Sequence, residues 1–486
     1  MKLHTLLEVL PLYTLQGEGN PEITNIRNHH EKVKAGDLFI CIAGLDVDSH
    51  TLAKEAVNNG AVALLSERPL DVEVPVVIVP DSKKAMAVIA DFFYNQPSHE
   101  LLLVGVTGTN GKTTTTHLIE KIYSFSGMKT GLIGTLYVKI GEELEPISNT
   151  TPDSLTLQQT FRRFCNADVK ASVMEVSSHA LVQGRVHGCD YDIAVFTNLS
   201  QDHLDYHKTM EEYRNAKGLL FSQLGNSYFK NHPKYAVINL DDPNADFFMK
   251  LTSAHVITYG LQSEAYIRAK NLELTPDGSA FTISTPQGEY AVKLKLAGKF
   301  NVYNALAAIS TAYVSDIPIK KAIEALEQVG GVSGRFESVK EDQAFSVIVD
   351  YAHTPDGLKN VLETIQTISK GNIYVVVGCG GDRDKGKRPI MANIACEYSD
   401  YAIFTSDNPR MENPLEILKD MESGVIGENY ELVVDRKEAI TKAIQMATND
   451  DVVLIAGKGH ETYQVVGKQV LSFDDREVAR NAIREL

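Results

Sequence analysis

The run Gly105-Val106-Thr107-Gly108-Thr109-Asn110-Gly111-Lys112-Thr113-Thr114 follows an apolar strand expected over Leu101–Val104 and opens an amphipathic segment. A glycine-rich turn leading into a helix lets backbone N–H groups close around phosphate oxygens. In such a loop Lys112 reaches the terminal phosphates, and the hydroxyl of Thr113 can hold Mg²⁺. The usual pattern has a glycine five residues before Gly111, where Val106 stands here; Gly108 supplies the extra turn flexibility two residues later. The spacing predicts binding of a nucleoside triphosphate. In the segment that follows, Leu118, Ile119, Ile122 and Tyr123 share one helical face, and Gly127 is the expected C-terminal stop.

Further along, Glu175 lies near the end of an apolar strand expected over Ser172–Val176. A carboxylate there is placed to ligate Mg²⁺ beside the threonine of a phosphate loop. The segment Asn198–His207 carries His203 and His207 four residues apart, which on a helix could face one way and hold zinc. No glutamate follows the first histidine and no third ligand stands at a typical spacing, so an oxygen-rich Mg²⁺ site sharing His203 fits better. Lys217, in Tyr213-Arg214-Asn215-Ala216-Lys217-Gly218, reads by itself as a solvated helix lysine.

These groups need a scaffold. At 486 residues the chain exceeds one hydrophobic core, and about three domains of ~150 residues are expected. Short apolar strands at Leu38–Ile42, Ala61–Leu65 and Val76–Val79 precede a break at Asn95-Gln96-Pro97-Ser98. Strand candidates recur at Ile193–Thr197 and Tyr235–Asn239, and after the glycine-rich break Gly330–Gly334 at Phe345–Val349, Ile373–Val377, Ala402–Thr405 and Val452–Ile455. Alternation with helical stretches predicts an α/β protein with mainly parallel sheets covered on both faces. The expected domains are 1–98, 99–332 and 333–486. Loops after parallel strands carry ligand chemistry, and here they read Asp350-Tyr351-Ala352-His353, Gly378–Arg383, Ser406–Arg410 and Gly457–Glu461.

A net charge of −16 argues against general nucleic-acid binding, so anionic ligands must meet local clusters of Lys and Arg. The five cysteines form no Cys-x-x-Cys pair and fit a reducing compartment. No stretch approaches the ~20 apolar residues of a membrane span. A cytoplasmic protein is expected.

Together, Gly108–Thr113, Glu175-Val176-Ser177-Ser178, Asn198–His207, Tyr213–Lys217 and Leu296–Asn304 resemble the Mur ligases, ATP-dependent amide-forming enzymes of peptidoglycan synthesis. The likeness covers nearly all of the chain from Leu101 onward. It implies a three-domain architecture with a central P-loop parallel-sheet domain and a C-terminal Rossmann-like domain. Asp407-Asn408-Pro409-Arg410 with Gly457-Lys458-Gly459-His460-Glu461 is similar to members that add meso-diaminopimelate to UDP-N-acetylmuramoyl-L-alanyl-D-glutamate. The resemblance implies that Gly108, Thr109, Asn110, Gly111, Lys112, Thr113, Thr114, Asn301 and Arg335 bind ATP. Mg²⁺ falls to Thr113, Glu175, His203 and Lys217, the lysine being carbamylated by CO₂. Thr150, Thr151, Ser177, Gln183 and Arg185 would hold the muramoyl dipeptide. Arg383, Asp407, Asn408, Arg410, Gly457 and Glu461 would hold the incoming amino acid. A monomer acting on small molecules, without nucleic acid or membrane span, is expected.

One departure stands out. The family's Asp-Ser-Arg before a Gly-Asp-Leu-Phe segment contributes to binding UDP; here Gly36-Asp37-Leu38-Phe39 is present but His29-His30-Glu31 replaces the triad, and Asp48-Ser49-His50 replaces Asp-Gly-His. A related ligase with another carboxylate donor is therefore an alternative. A folylpolyglutamate synthase is opposed by Asp407–Arg410, a P-loop switch lacks Asn-Lys-x-Asp, and a dinucleotide reading of Gly378-Cys379-Gly380-Gly381 misplaces the third glycine.

Overall fold

The computed structural model describes residues 1–486 except 45–46, 148, 227–232, 263 and 276–277. It divides into two compact units: Met1–Gly105, Met128–Ile193 and Phe229–Lys234 form one, and Val106–Gly127, Ala194–Tyr228 and Tyr235–Leu486 the other.

In the first unit a five-stranded sheet runs in the order Thr14–Gln16, Val76–Ile78, Ala61–Ser66, Asp37–Ile40, Asn25–Arg27. Only the edge strand Thr14–Gln16 is antiparallel to its neighbour. Leu38 and Ile40 join Ile89 in one core layer, while Phe39 joins Ala53 and Ala56 in another. A strand buried on both faces reads as a continuous apolar run, which is why it was visible in the sequence. In the same unit Ala171–Glu175 lies parallel to Thr130–Ile133, and Val138–Ile140 and Glu143–Glu145 extend that ribbon antiparallel.

In the second unit Tyr235–Asn239, His255–Gly260 and Ile267–Thr275 are parallel. Gly278–Thr285 and Gly288–Leu294 then add an antiparallel meander that the expectation of mainly parallel sheets did not contain. Its strands bury alternate residues, a pattern of one wetted face that weighs less in sequence than a fully apolar run. The last sheet has the order Glu337–Val339, Ser346–Asp350, Val452–Ala456, Ile373–Val377, Tyr401–Phe404, Tyr430–Leu432. All but Glu337–Val339 are parallel. One face packs Leu358, Leu362, Met391 and Leu418, the other Ile440, Ile444 and Ala479. The C-terminal helix is fastened by a fully buried pair, Arg436 Nε and Nη2 donating to Asp475 at 2.8 and 2.7 Å.

Candidate functional site

In the first unit, strand Ala171–Glu175 ends on its carboxylate, which is fully buried. Thr135 donates to it from its backbone N–H (2.8 Å) and its hydroxyl (3.1 Å). Gly134 packs against it, and a Cβ there would sit 2.5 Å from Glu175 Oε1 unless that side chain shifted. Thr151 Oγ1 donates to the Glu175 carbonyl (2.8 Å) and accepts from Ser177 N–H (3.1 Å). The hydroxyls of Thr150 and Thr135 are 3.1 Å apart. Arg185 donates to Thr151 O (3.0 Å) and, through Nε and Nη2, to Gln183 Oε1 (3.0 and 2.8 Å). Thr150, Thr151, Ser177, Gln183 and Arg185 are thus gathered around Glu175.

The phosphate loop lies in the second unit and continues into the helix Lys112–Phe125, whose face Leu118, Ile119, Ile122 and Tyr123 is buried. Gly108 (φ 151°) and Gly111 (φ 85°) adopt backbone that disfavours a side chain, and a Cβ on Gly111 would collide with Asn304 Oδ1. Lys112 Nζ donates to Gly108 O (2.9 Å) and Thr109 O (2.8 Å). Thr109 N–H donates to Asn198 O (2.8 Å) and Asn110 N–H to Asn198 Oδ1 (2.9 Å), so the Asn198 segment frames the loop. Thr113 Oγ1 accepts from Arg335 Nη2 (2.9 Å), whose guanidinium lies over the Tyr351 ring, 4.4 Å from its centroid. Thr114 is buried at the start of the helix. Asn301 donates to Ala297 O (2.8 Å) and accepts from Asn304 Nδ2 (3.2 Å), while Asn304 Oδ1 accepts from Thr115 Oγ1 (3.2 Å).

Two readings are corrected here. Lys217 is not a solvated lysine: it is 1% exposed on helix Met210–Ser222, donates to Gly108 O at 2.8 Å and lies 4.3 Å over the Tyr213 ring. Burial, with Lys112 nearby, pushes its pKa well below the ordinary lysine value. Nor do His203 and His207 share a helix face, since the helix is only Leu204–His207 and His203 precedes it in left-handed backbone (φ 56°). His207 is instead buried against Tyr206 and Tyr213. Among the described residues no three His, Cys, Asp or Glu side chains are grouped to hold a metal ion.

Several polar residues escaped the sequence reading. Asp202, 5% exposed, stands 3.2 Å from His203 Nε2, 3.8 Å from His353 Nε2 and 3.7 Å from Lys387 Nζ. Burial alone would raise its pKa, but His203, Lys387 and His353 hold it well below the usual carboxylate range. Burial lowers His353 to about 4. Asp356 accepts from Asn110 Nδ2 (3.0 Å) and Ser200 Oγ (3.3 Å). Asp202 and His353 lie in loops after strands, the only sequence hint, whereas Asp356 sits in the first turn of the helix Pro355–Ile368.

At the carboxyl ends of the last sheet, Asn408 donates to Glu461 Oε2 (2.9 Å) and accepts from Lys458 Nζ (3.1 Å) and Val465 N–H (2.9 Å). Lys458, fully buried, also donates to Glu461 (2.9 Å). Asp407 Oδ1 accepts from Asn408 N–H, and a Cβ on Gly457 would crowd Asp407 Oδ2 at 2.8 Å. Arg410 donates to Gly381 O (2.7 Å), and Arg383 to Asp382 O (3.0 Å). The six residues expected at an amino-acid site therefore lie on three adjoining loops.

The Mur ligase middle domain matches residues 106–312, and the Mur ligase glutamate ligase domain matches 334–459. The chain is 56% identical to the UDP-N-acetylmuramoyl-L-alanyl-D-glutamate–2,6-diaminopimelate ligase of Bacillus cereus, over 99% of this chain and 98% of that one. The chain belongs to the Mur ligase family. As a Mur ligase it is an ATP-dependent amide-forming enzyme. It is also 56% identical to the like-named ligase of Listeria monocytogenes, over 100% and 99% of the two chains. A solved 2,6-diaminopimelate ligase of the same name superposes with a TM-score of 0.69 at 35% identity, covering 99% of this chain and 98% of that one. MurF ligase from Thermotoga maritima, solved with ADP, shares the fold at a TM-score of 0.67 and 18% identity, covering 95% and 96%. The α/β fold of this Mur ligase, with mixed parallel sheets, is consistent with the three-domain Mur ligase architecture. Among its described residues no helix is long and apolar enough to cross a membrane.

Proposed function

We propose that this Mur ligase joins meso-diaminopimelate to UDP-N-acetylmuramoyl-L-alanyl-D-glutamate with cleavage of ATP to ADP and phosphate. The observation that carries the reading is the Asp407–Arg410 loop, with Asn408 clasped by Lys458 and Glu461, in a chain 56% identical to relatives named for that reaction.

A carboxylate and an amine do not condense at neutral pH. Transfer of the γ-phosphoryl group to the D-glutamate carboxylate gives an acyl phosphate, and the amine displaces phosphate through a tetrahedral intermediate. The first step brings two anions together, so the phosphoryl oxygens need positive charge around them. Lys112, Arg335 and the backbone around Gly108–Thr113 supply it from this chain. Asn301 lies on the adenine side. Thr150, Thr151, Ser177, Gln183 and Arg185 bind the muramoyl dipeptide, and Arg383, Asp407, Asn408, Arg410, Gly457 and Glu461 the amino acid.

The donor chemistry fits Mg²⁺: Thr113 offers a hydroxyl, Glu175 a carboxylate, His203 an imidazole, and Lys217 carbamate oxygens once it has reacted with CO₂. Only an uncharged amine attacks CO₂, and burial, with Lys112 nearby, shifts Lys217 toward that form. When bound, the ion neutralises charge on the transferring phosphoryl group. The working domains are 1–98 for the UDP-linked substrate, 99–332 for ATP and 333–486 for the amino acid. The enzyme acts as a monomer in the cytoplasm, a reducing compartment that suits its five free cysteines. The test is phosphate release from ATP with UDP-muramoyl dipeptide, with and without meso-diaminopimelate; release independent of the amino acid would refute the reading.

A further inference from the structure

The loops Gly378–Arg383 and Ser406–Glu412 carry much of the amino-acid site, and they are tied to each other at several points. Gly381 N–H donates to Asn408 O (2.9 Å), Met411 N–H to Asp382 Oδ2 (3.2 Å) and Arg410 Nη1 to Gly381 O (2.7 Å). Gly381 has no room for a side chain, since a Cβ would strike Pro409 O. Each loop also holds a non-glycine residue in left-handed backbone, Asp382 at φ 52° and Arg410 at φ 50°. Such conformations persist only where the surroundings over-determine them.

The surroundings converge on one side chain. Arg388, on helix Lys387–Tyr398, is fully buried. Its Nη1 and Nη2 grip the two oxygens of Glu412 at 3.0 and 2.8 Å, and Nη2 also lies 3.3 Å from Gly380 O. Glu412 Oε1 in turn accepts from Asp382 N–H at 2.5 Å. One guanidinium therefore touches the first loop directly, reaches it again through Glu412, and anchors the second loop through the same carboxylate. Its remaining ion-pair partner, Asp420 (2.8 Å), lies outside both loops, on helix Pro414–Glu422. Lys385 approaches Glu412 from the rim at 3.1 Å.

We propose that Arg388 and Glu412 are positioning residues for amino-acid selection, acting together as a fork that fixes Asp382 and Arg410 so that the two loops present one rigid recognition surface. The inference rests on the reading that these loops receive the amino acid. A planar guanidinium makes two parallel bonds to a carboxylate, whereas an ammonium acts as a single point charge, so Arg388→Lys keeps the charge and loses the fork.

The test compares Glu412→Gln and Arg388→Lys with Asp420→Asn in the full-length enzyme, using steady-state kinetics with meso-diaminopimelate, lysine and ATP varied in turn. For both fork variants KM for diaminopimelate should rise about tenfold or more while KM for ATP and kcat stay within about threefold, the signature of lost ground-state binding at one site. Preference for diaminopimelate over lysine should narrow as well. Asp420→Asn should leave the diaminopimelate KM within about twofold. Equal effects of Asp420→Asn and Glu412→Gln, or loss of ATP binding alongside amino-acid binding, would show a merely structural cluster and overturn the proposal. Unchanged diaminopimelate KM in the fork variants would overturn it too. A parent enzyme that does not use diaminopimelate would overturn the reading beneath it, and that result appears before any variant is made.

Discussion

Lys112 and Lys217 converge on one oxygen: both side-chain nitrogens donate to the carbonyl of Gly108, at 2.9 and 2.8 Å. Two ammonium groups on one acceptor repel, and the buried member gives up its proton more readily. Lys217 is that member, which leaves Lys112 as the charged partner for phosphate.

Removing Lys112 should therefore abolish ligation without unfolding the chain. Lys112→Ala should lose at least about 10²-fold in kcat, the scale of one group stabilising transition-state charge. Its circular dichroism and melting temperature should match the parent's; near-normal turnover in the folded variant would remove Lys112 from the phosphate site.

Lys217 should carry a carbamate in the working enzyme. Incubation with ¹³C-bicarbonate should give a carbamate carbon signal that Lys217→Ala lacks. The variant should have low activity that small added carboxylates partly restore, because they return oxygen ligands to a hard cation. Full activity of Lys217→Ala without additives would refute the role.

The phosphate loop was legible because its function depends on glycines and a lysine at fixed spacing, and the doubly covered strands because they are apolar throughout. Lys217 was misjudged on its own because helix periodicity does not report which face an adjoining loop covers. The four-residue spacing of His203 and His207 would put them on one face only inside a helix, and the helix Leu204–His207 begins after His203, so the zinc reading already set aside has no support. Asp202 and Asp356 escaped because their partners, His353, Lys387 and Asn110, are more than a hundred residues away in sequence. The Arg388–Glu412 fork was hidden for another reason, as a buried arginine is indistinguishable in sequence from a solvated one.

Arg410 should decide between diaminopimelate and lysine, which differ by one carboxylate at the far end. A guanidinium grips that group through two bonds, and with lysine it would face an ammonium that no carboxylate offsets or lie unpaired. Arg410→Ala should lose most diaminopimelate activity, a cost of roughly 2–5 kcal/mol, and narrow the preference. Comparison of kcat/KM for both amino acids in both proteins checks it; a parent enzyme that uses lysine equally well would contradict the assignment.

Acid should erase the contribution of Glu412 to stability. Arg388 holds its carboxyl down at about 2, against an ordinary value of 4.5. A depressed folded-state pKa stabilises the fold fully above the unfolded value and loses that effect as pH falls toward the folded one. The melting temperatures of parent and Glu412→Gln should differ most above pH 5 and converge as pH approaches about 2. A gap that is constant with pH would show that the charge of Glu412 does not contribute.

The most direct measurement is product analysis by mass spectrometry after incubation with ATP, Mg²⁺, UDP-N-acetylmuramoyl-L-alanyl-D-glutamate and an equimolar mixture of meso-diaminopimelate and lysine. The UDP-linked tripeptide containing diaminopimelate should form with one ADP released per peptide bond. Formation of the lysine product instead, or ATP cleavage with no tripeptide, would contradict the proposed function.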